Sequence, residues 1–485
     1  MALQKIIGFA PDRDVTTPGV VQDCSEWIPY EAGYRGAPTA VRVGVAALAA
    51  ECRGAAALTK LDGTRRLFAG TQTKLYELSG TSWTDRSAGG GSYTGSVESR
   101  WSFCQFGDTS MASNLVDAMQ SSAAGAFAAI AGAPKAKVII AVSNNFVIAL
   151  RTNEGTYGDA PDRWWCCAQN DQTNWTPSVA TGATTGRLVA VEGPLTAGIS
   201  LGDYAVAFKS RGLFLGQFVG AAAGSFAWQL MSGGSNAGCV GQEALCDIGG
   251  AIFSVGEDDF WLFDGVRPVP VAQDVREWFR QNCSSVYRYR TKCAYDRQRQ
   301  LVWIAFPSLS SIGPCDRCLV LHVPSKQYGR SDFVTEAHIT YQSPGVTFDT
   351  AVGTFDGAPP IPFDSPLWAS GARQLAYFDS AHTIQSRTGV SSVSSFTTGD
   401  VGDDSVVSLL EQVRVRHLHA PASATATGLA KILGSTDHVA GAAEPLFQGR
   451  FTPRQSANWH AVRLDFTGDH AETAFEIMTT PDAEQ

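Results

Sequence analysis

The chain has 485 residues and a formal net charge of −9, with 44% hydrophobic and 17% charged residues. That composition belongs to a folded protein and excludes a disordered chain, and the acidic balance argues against a dedicated nucleic-acid-binding surface. The length exceeds the roughly 250–300 residues at which single cores stop growing, so two domains, or one large closed β architecture with an appendage, are expected.

The opening MALQKIIGFAPDRD lacks a basic region followed by a long apolar core, so it does not read as a secretory signal. The Ala-rich stretch 121–142 is broken by Pro134, Lys135 and Lys137 and does not read as a membrane span. A protein made and folded in a cytosol is expected. Residues 1–60 are punctuated by Pro11, Pro18, Pro29 and Pro38 and read as an extended lead-in that could lend strands to a platform.

From residue 65 to 385 one object recurs: an apolar strand, a tight polar turn, then a strand carrying aromatics. The clearest copies are RLFAGTQTKLYEL (66–78), VIIAVSNNFVIAL (138–150), YAVAFKSRGLFLGQFVG (204–220) and AIFSVGEDDFWLFDG (251–265). Weaker copies are LVWIAFPS (301–308) with LVLHVPSKQYG (319–329), and QLAYFDSAHTIQ (374–385). β-Branched and aromatic runs broken by Gly, Asn or Asp predict β-hairpins. Their spacing leaves enough chain for a three- or four-stranded sheet per repeat, the unit of a β-propeller. The predicted fold is therefore mainly β: a β-propeller-like core over 61–345 and an additional small β domain over 346–485. Tryptophans 83, 101, 164, 165, 175, 228, 261, 278 and 303 fall in the core and should wedge between sheets. Only VREWFRQN (275–282) predicts a helix, with Val275, Trp278 and Phe279 on one face. After residue 345 the composition shifts: GAPPIPFDSP (357–366) is Pro-rich, and 387–405 is dominated by Ser, Thr, Gly, Val and Asp. Strands are predicted over 408–420 and 457–466.

Chemistry-bearing patterns are few. The eleven cysteines are odd in number and irregularly spaced, which argues against a disulfide framework and for small buried hydrophobes. Cys315 and Cys318 form a lone C-x-x-C; zinc would need two further ligands, for which Cys283, Cys293 or His322 could be recruited only by the fold. His417 and His419 sit two apart on a predicted strand and share a face, which would suit a two-histidine metal site, but no third ligand is placed and two polar residues on a solvated strand face are the expectation. The run 276–299 interleaves Arg276, Arg280, Arg288, Arg290, Lys292, Arg297 and Arg299 with Trp278, Phe279, Tyr287, Tyr289 and Tyr295. Such a mixture can hold a single strand of nucleic acid, but Tyr287–Arg290 also alternates as a half-buried strand would, and a solvated or subunit-facing strand is the expectation. AQNDQTNW (168–175) keeps only the Trp of a sialidase-type Asp-box, SGTSWTD (79–85) fails too, and no nucleophile elbow, phosphate loop or zincin motif occurs. No catalytic residue, cofactor or metal site is nominated, and an enzyme is not expected.

Several segments, taken in order, resemble the tail nozzle (tail-hub, or packaged-DNA stabilisation) proteins of short-tailed bacteriophages. FAPDRDVTTPGVVQDCSEWIPYEAGYRGAP (9–38) is similar to their opening, and LFAGTQTKLYEL with SWTDRS (82–87) to their first blade. RWSFCQFGDTSMASN (100–114) matches a W-S-F-x-x-F-G-D segment that leads to a G-A-P-K-A-like turn (132–136). DYAVAFKSRGLFLGQFVG and GCVGQEALCDIGGAIFSVGEDDFWLFDG (238–265) resemble the central blades. The resemblance covers about residues 5–330 and leaves the cysteines and 346–485 without counterpart. It implies a propeller protomer in a ring of six around the channel through which double-stranded DNA leaves the virion, with no sequence-specific binding. Implied partners are a tail adaptor or head-to-tail connector and tail fibre, spike or needle proteins, in a virion tail assembled in the host cytoplasm. The alternative class is a cytosolic propeller hydrolase or ligand-binding module.

Overall fold

The computed structural model describes residues 3–31, 33–231, 236–344 and 370–482. It is built almost wholly of antiparallel strands, and its one α-helix among the described residues, Arg276–Asn282, falls on the predicted segment. No described helix is long and apolar enough to cross a membrane.

The hairpin repeats form a β-propeller. Six free-standing four-stranded sheets and the first four strands of a ten-stranded sheet follow one another in a ring. In chain order these blades are blade 1 (55–85), blade 2 (102–129), blade 3 (135–187), blade 4 (195–230), blade 5 (245–270), blade 6 (292–330) and blade 7 (337–387). The first strand of each blade lies innermost and touches the first strand of the next, and blade 7 returns to blade 1. A blade is covered on both faces, so its middle strands read as continuous apolar runs: all of Leu301–Phe306 is buried. Each seam has its own apolar filling. Val138, Ile140, Leu150 and Trp164 meet Leu195, Ala205 and Phe214 between blades 3 and 4, while Ala69 and Cys52 meet Ile339, Tyr341 and Phe378 between blades 1 and 7. Tryptophans wedge as predicted. Trp164 and Trp228 lie 5.5 Å apart across the blade 3–4 seam, and Trp83 lies 5.9 Å from Phe378 across the blade 1–7 seam. Trp101 lies so close to Gly70 that a Cβ there would sit 2.2 Å from its ring.

Ring closure uses the lead-in. Ala40–Arg42 is the outermost strand of blade 7, pairing Arg42 with Gln385, Val41 with Ser386 and Ala40 with Arg387. Blade 7 therefore joins residues more than 340 positions apart, and loop closure of that length is slow but only modestly costlier than a short one. The expected boundary at 345/346 falls inside this blade, because Ala337–Pro344 pairs with Ser370–Phe378. The composition shift there marks the connection between two strands of one blade. The Pro-rich 357–366 lies outside the described residues.

The second unit is a β-sandwich woven from both ends of the chain. One sheet orders Gly8–Phe9, Val20–Ser25, Val393–Thr398, Trp459–Thr467, Ser423–Lys431 and Val439–Pro445. The other continues from blade 6 through Trp27–Tyr30 and Gly33–Gly36 to Ala471–Pro481, Ser408–His419 and Gln455–Ala457. Val393–Thr398 thus lies in the Ser/Thr-rich stretch, and the strands expected at 408–420 and 457–466 are present. Trp27 stacks on Tyr34 at 3.9 Å and on Phe396 at 4.6 Å. The Tyr34 hydroxyl donates to the Tyr328 carbonyl at 2.8 Å, and the Tyr328 hydroxyl to the Val271 carbonyl at 3.0 Å, which ties sandwich to propeller through buried bonds. The lead-in also caps the helix: the Asp12 carboxylate accepts from the amides of Glu277 at 2.6 Å and Trp278 at 2.9 Å. Val275, at the cap position, has no side chain for that task.

Candidate functional site

Two groups of side chains sit at the ends of the propeller axis. At the end where the inner strands begin, polar side chains bridge the bore. Glu98, just before the inner strand of blade 2, pairs with Arg290 and accepts from the Tyr289 hydroxyl at 2.8 Å, both just before blade 6. Blades 2 and 6 are as far apart as two blades of this ring can be, so the contact crosses the axis. Arg100 reaches Glu51 at 3.4 Å and Glu243 at 3.8 Å, and Lys292 reaches Glu243 at 3.6 Å. Against the cost of burial, Arg290 and Tyr289 hold the Glu98 carboxyl below its usual range; Arg100 and Arg53 do the same for Glu51. Neutral networks of this kind leave little field for drawing in a polyanion.

The other end opens into a cavity of about 1060 Å³, walled by the inner strands of blades 5 and 6 and by inner and middle strands of blades 1 and 7. Its carboxylates are occupied. Asp247 faces Arg297 at 3.5 Å, and Asp296 takes the amide of Gln298 at 3.0 Å with Arg299 at 3.6 Å. The wall therefore offers hydrogen bonding and mixed charge. His338 also lines it, and both ring nitrogens are sealed without partners. Burial, then Lys292, pulls its imidazolium down to about 3, so the ring is neutral.

The residues singled out in the sequence are not brought together into a site. All eleven cysteines are free and buried. The Cys315 thiol donates to the Arg290 carbonyl at 3.2 Å and the Cys318 thiol to the Leu319 carbonyl at 3.3 Å, so each serves the backbone. Burial pushes both thiols up, as it does those of Cys283 and Cys293. His322 bonds to the Ser325 hydroxyl at 2.8 Å. Among the described residues no three His, Cys, Asp or Glu side chains converge as a metal would require. The expected strand at Tyr287–Arg290 is instead a turn of 3₁₀-helix, Arg288–Arg290, because these residues link helix to blade and direct Tyr289 and Arg290 to Glu98. Residues 168–175 form an Asx turn: Asp171 accepts from the Thr173 amide at 2.9 Å and hydroxyl at 2.6 Å, with Trp175 buried behind it.

The His417 and His419 pair is corrected too. Register slips at Arg416/His417 and His417/His419 break the alternation that would have placed them on one face. His419 bonds to the Asp469 carbonyl at 3.0 Å, while His417 turns to the buried Glu472 carboxylate at 3.4 Å. His470 meets the same carboxylate at 2.5 Å, and the Trp27 indole donates to its other oxygen at 3.4 Å. This node joins lead-in to C-terminal strand. His470 and Glu472, like Glu98 and Asp12, carry no local motif; only the long-range pairing brings them into play.

No family model and no curated protein matches this chain. Solved structures match it at low likeness. A computationally designed protein, Ika8, is 8% identical with a TM-score of 0.34, covering 72% of this chain and 99% of that one. PorZ, a surface component of the type-IX secretion system of Porphyromonas gingivalis, is 10% identical with a TM-score of 0.35, covering 62% of this chain and 35% of that one. YCF48 from Cyanidioschyzon merolae is 13% identical with a TM-score of 0.35, covering 60% and 87%. At such values these likenesses carry no statement about activity.

Proposed function

We propose that copies of this chain form a closed ring in a short bacteriophage tail, a nozzle or hub around the path by which packaged DNA leaves the virion. The observation that carries the reading is the ordered set of segments across 5–330 that resembles tail nozzle proteins. The fold gives those segments structural work consistent with that resemblance. F-A-P-D-R-D supplies the Asp12 cap, W-I-P-Y supplies the strand beside blade 6, and W-S-F-x-x-F-G-D opens blade 2 with Trp101 packed on Gly70. Side chains bridge the axis of a single propeller, so on this reading the duplex runs between subunits. One heterologous interface repeated round a cyclic axis suffices to build such a lumen. Its wall should be polar and on balance acidic, so that DNA slides without sticking. Six copies, a tail adaptor or connector above, and fibre, spike or needle proteins below belong to the same proposal, as does a role free of catalysis.

The second reading, a propeller ligand-binding module or hydrolase, draws on the cavity of about 1060 Å³; its engaged carboxylates favour binding over hydrolysis. Imaging purified virions and the protein mixed with its neighbouring tail component separates the two. The nozzle reading expects the chain in the tail as a ring that closes on a docking platform. Absence from virions, or a bore too narrow for a duplex even when open, overturns it.

A further inference from the structure

Blade 3 holds two cations near each other with no anion between them. The ladder of Lys135–Val142 with Phe146–Glu154 pairs Ala136 with Thr152 and Val138 with Leu150 and leaves Lys137 and Arg151 as the unpaired positions between them. Like charges brought near each other across a ladder destabilise it. Arg151 has φ +53°, a conformation costly for a long side chain, and the pairing to the third strand slips at the same place, between Leu150 and Thr152. Both residues are partly buried, and the Arg151 Nε is sealed from solvent with no hydrogen-bond partner. The ionisable groups that act on Lys137 are Arg151 and the thiol of Cys239, and no carboxylate is among them. Blade 1 handles a buried cation differently, setting Arg66 against Glu77 at 2.6 Å. Strain, like-charge repulsion and an orphaned donor at one spot are costs that persist where function maintains them.

We infer that Lys137 and Arg151 form an oxyanion-binding site on blade 3, taking a carboxylate or phosphate group. The guanidinium offers a planar fork and the ammonium a compact charge, a combination that grips two oxygens of one group. The anion is either free in solution or carried on an acidic side chain of a second copy of this chain. The site goes beyond the nozzle reading and stands whether or not the chain forms a ring.

Burial, then the field of Arg151, lowers the Lys137 ammonium from 10.5 to about 8, so a bound anion should move it back upward. Pulse labelling of Lys137 with an amine reagent, read by mass spectrometry across a pH series, measures that midpoint. Inorganic phosphate and acetate are each compared with chloride at equal ionic strength. The expected result is a rise of about one unit or more, a tenfold preference for the charged form, absent in Arg151→Met. A matching rise in thermal midpoint should be lost in both Lys137→Met and Arg151→Met, substitutions that keep chain length and add no charge. If a second copy supplies the anion, the Lys137 midpoint instead rises with protein concentration in chloride, and Arg151→Met abolishes that rise. A midpoint indifferent to phosphate, acetate and protein concentration overturns the inference, as does a shift that survives Arg151→Met. Arg151→Gln serves if the Met variant fails to fold.

Discussion

Blades 3 and 4 differ from blade 7 and the sandwich in how far apart their parts lie in the chain. Blades 3 and 4 are each one continuous run, 135–187 and 195–230, with every strand paired to its sequence neighbour. Blade 7 needs Ala40–Arg42 to supply its outer strand, and the sandwich needs residues 4–36 to join strands of 393–481 to one another and to blade 6. Local pairing makes a blade self-sufficient. Distant pairing makes the two chain ends responsible for closing everything else, so damage at the ends should spread while damage within a blade should stay local.

The largest effect expected is from removing residues 1–45. That deletion takes the outer strand of blade 7, the Asp12 cap and five strands of the sandwich at once, Gln4–Lys5 beside Ala471–Pro481 among them. The truncated chain should lose its cooperative thermal transition, and retention of the full-length midpoint would show that the ends do not close the ring. Next in size, Trp27→Ala removes a fully buried indole stacked on Tyr34 and Phe396. Denaturant titration should read a loss of about 3–5 kcal/mol; Trp228→Ala, at a partly buried ring in blade 4, should cost visibly less.

Continuous blades were legible in the sequence for the same reason that they are self-sufficient. All the hairpins predicted between 66 and 385 are hairpins, because strand alternation and a turn at the tip are local signals. The helix was legible from Val275, Trp278 and Phe279. The closure of blade 7 was not, since Ala40–Arg42 is a short exposed strand with no apolar pattern. Composition misled at 345/346, where a change of residue types marks a connection within a blade. The polar groups at the axis were invisible too, because Glu98, Arg290 and Glu243 become neighbours only when seven sheets close round them.

Acid offers a gentler way to separate the two regions. Against the cost of burial, the hydrogen bond to His470 and the nearby His417 ring hold the Glu472 carboxyl below its ordinary value of 4.5. A carboxyl depressed in the folded state stabilises the fold above its unfolded value, and that contribution is lost as pH falls through the lower, folded value. Hydrogen exchange followed from neutral pH to below 4.5 should therefore show strands 393–481 opening before blade 3, and Glu472→Gln should flatten that pH dependence. Simultaneous opening of both regions would dissolve the distinction between them. Smallest of these effects, Asp12→Ala removes a cap supplied from far along the chain to Arg276–Asn282 and should cost about 1 kcal/mol in denaturant titration, with exchange rising first at Glu277 and Trp278.

The central claim is that DNA passes between subunits while each propeller stays bridged across its own axis. Cryo-electron microscopy of the assembled ring with DNA tests it most directly. The account predicts continuous density joining Glu98 to Arg290 in every subunit and a duplex in the space the subunits enclose. A duplex threaded through the axis of one propeller, with that bridge broken, would contradict it.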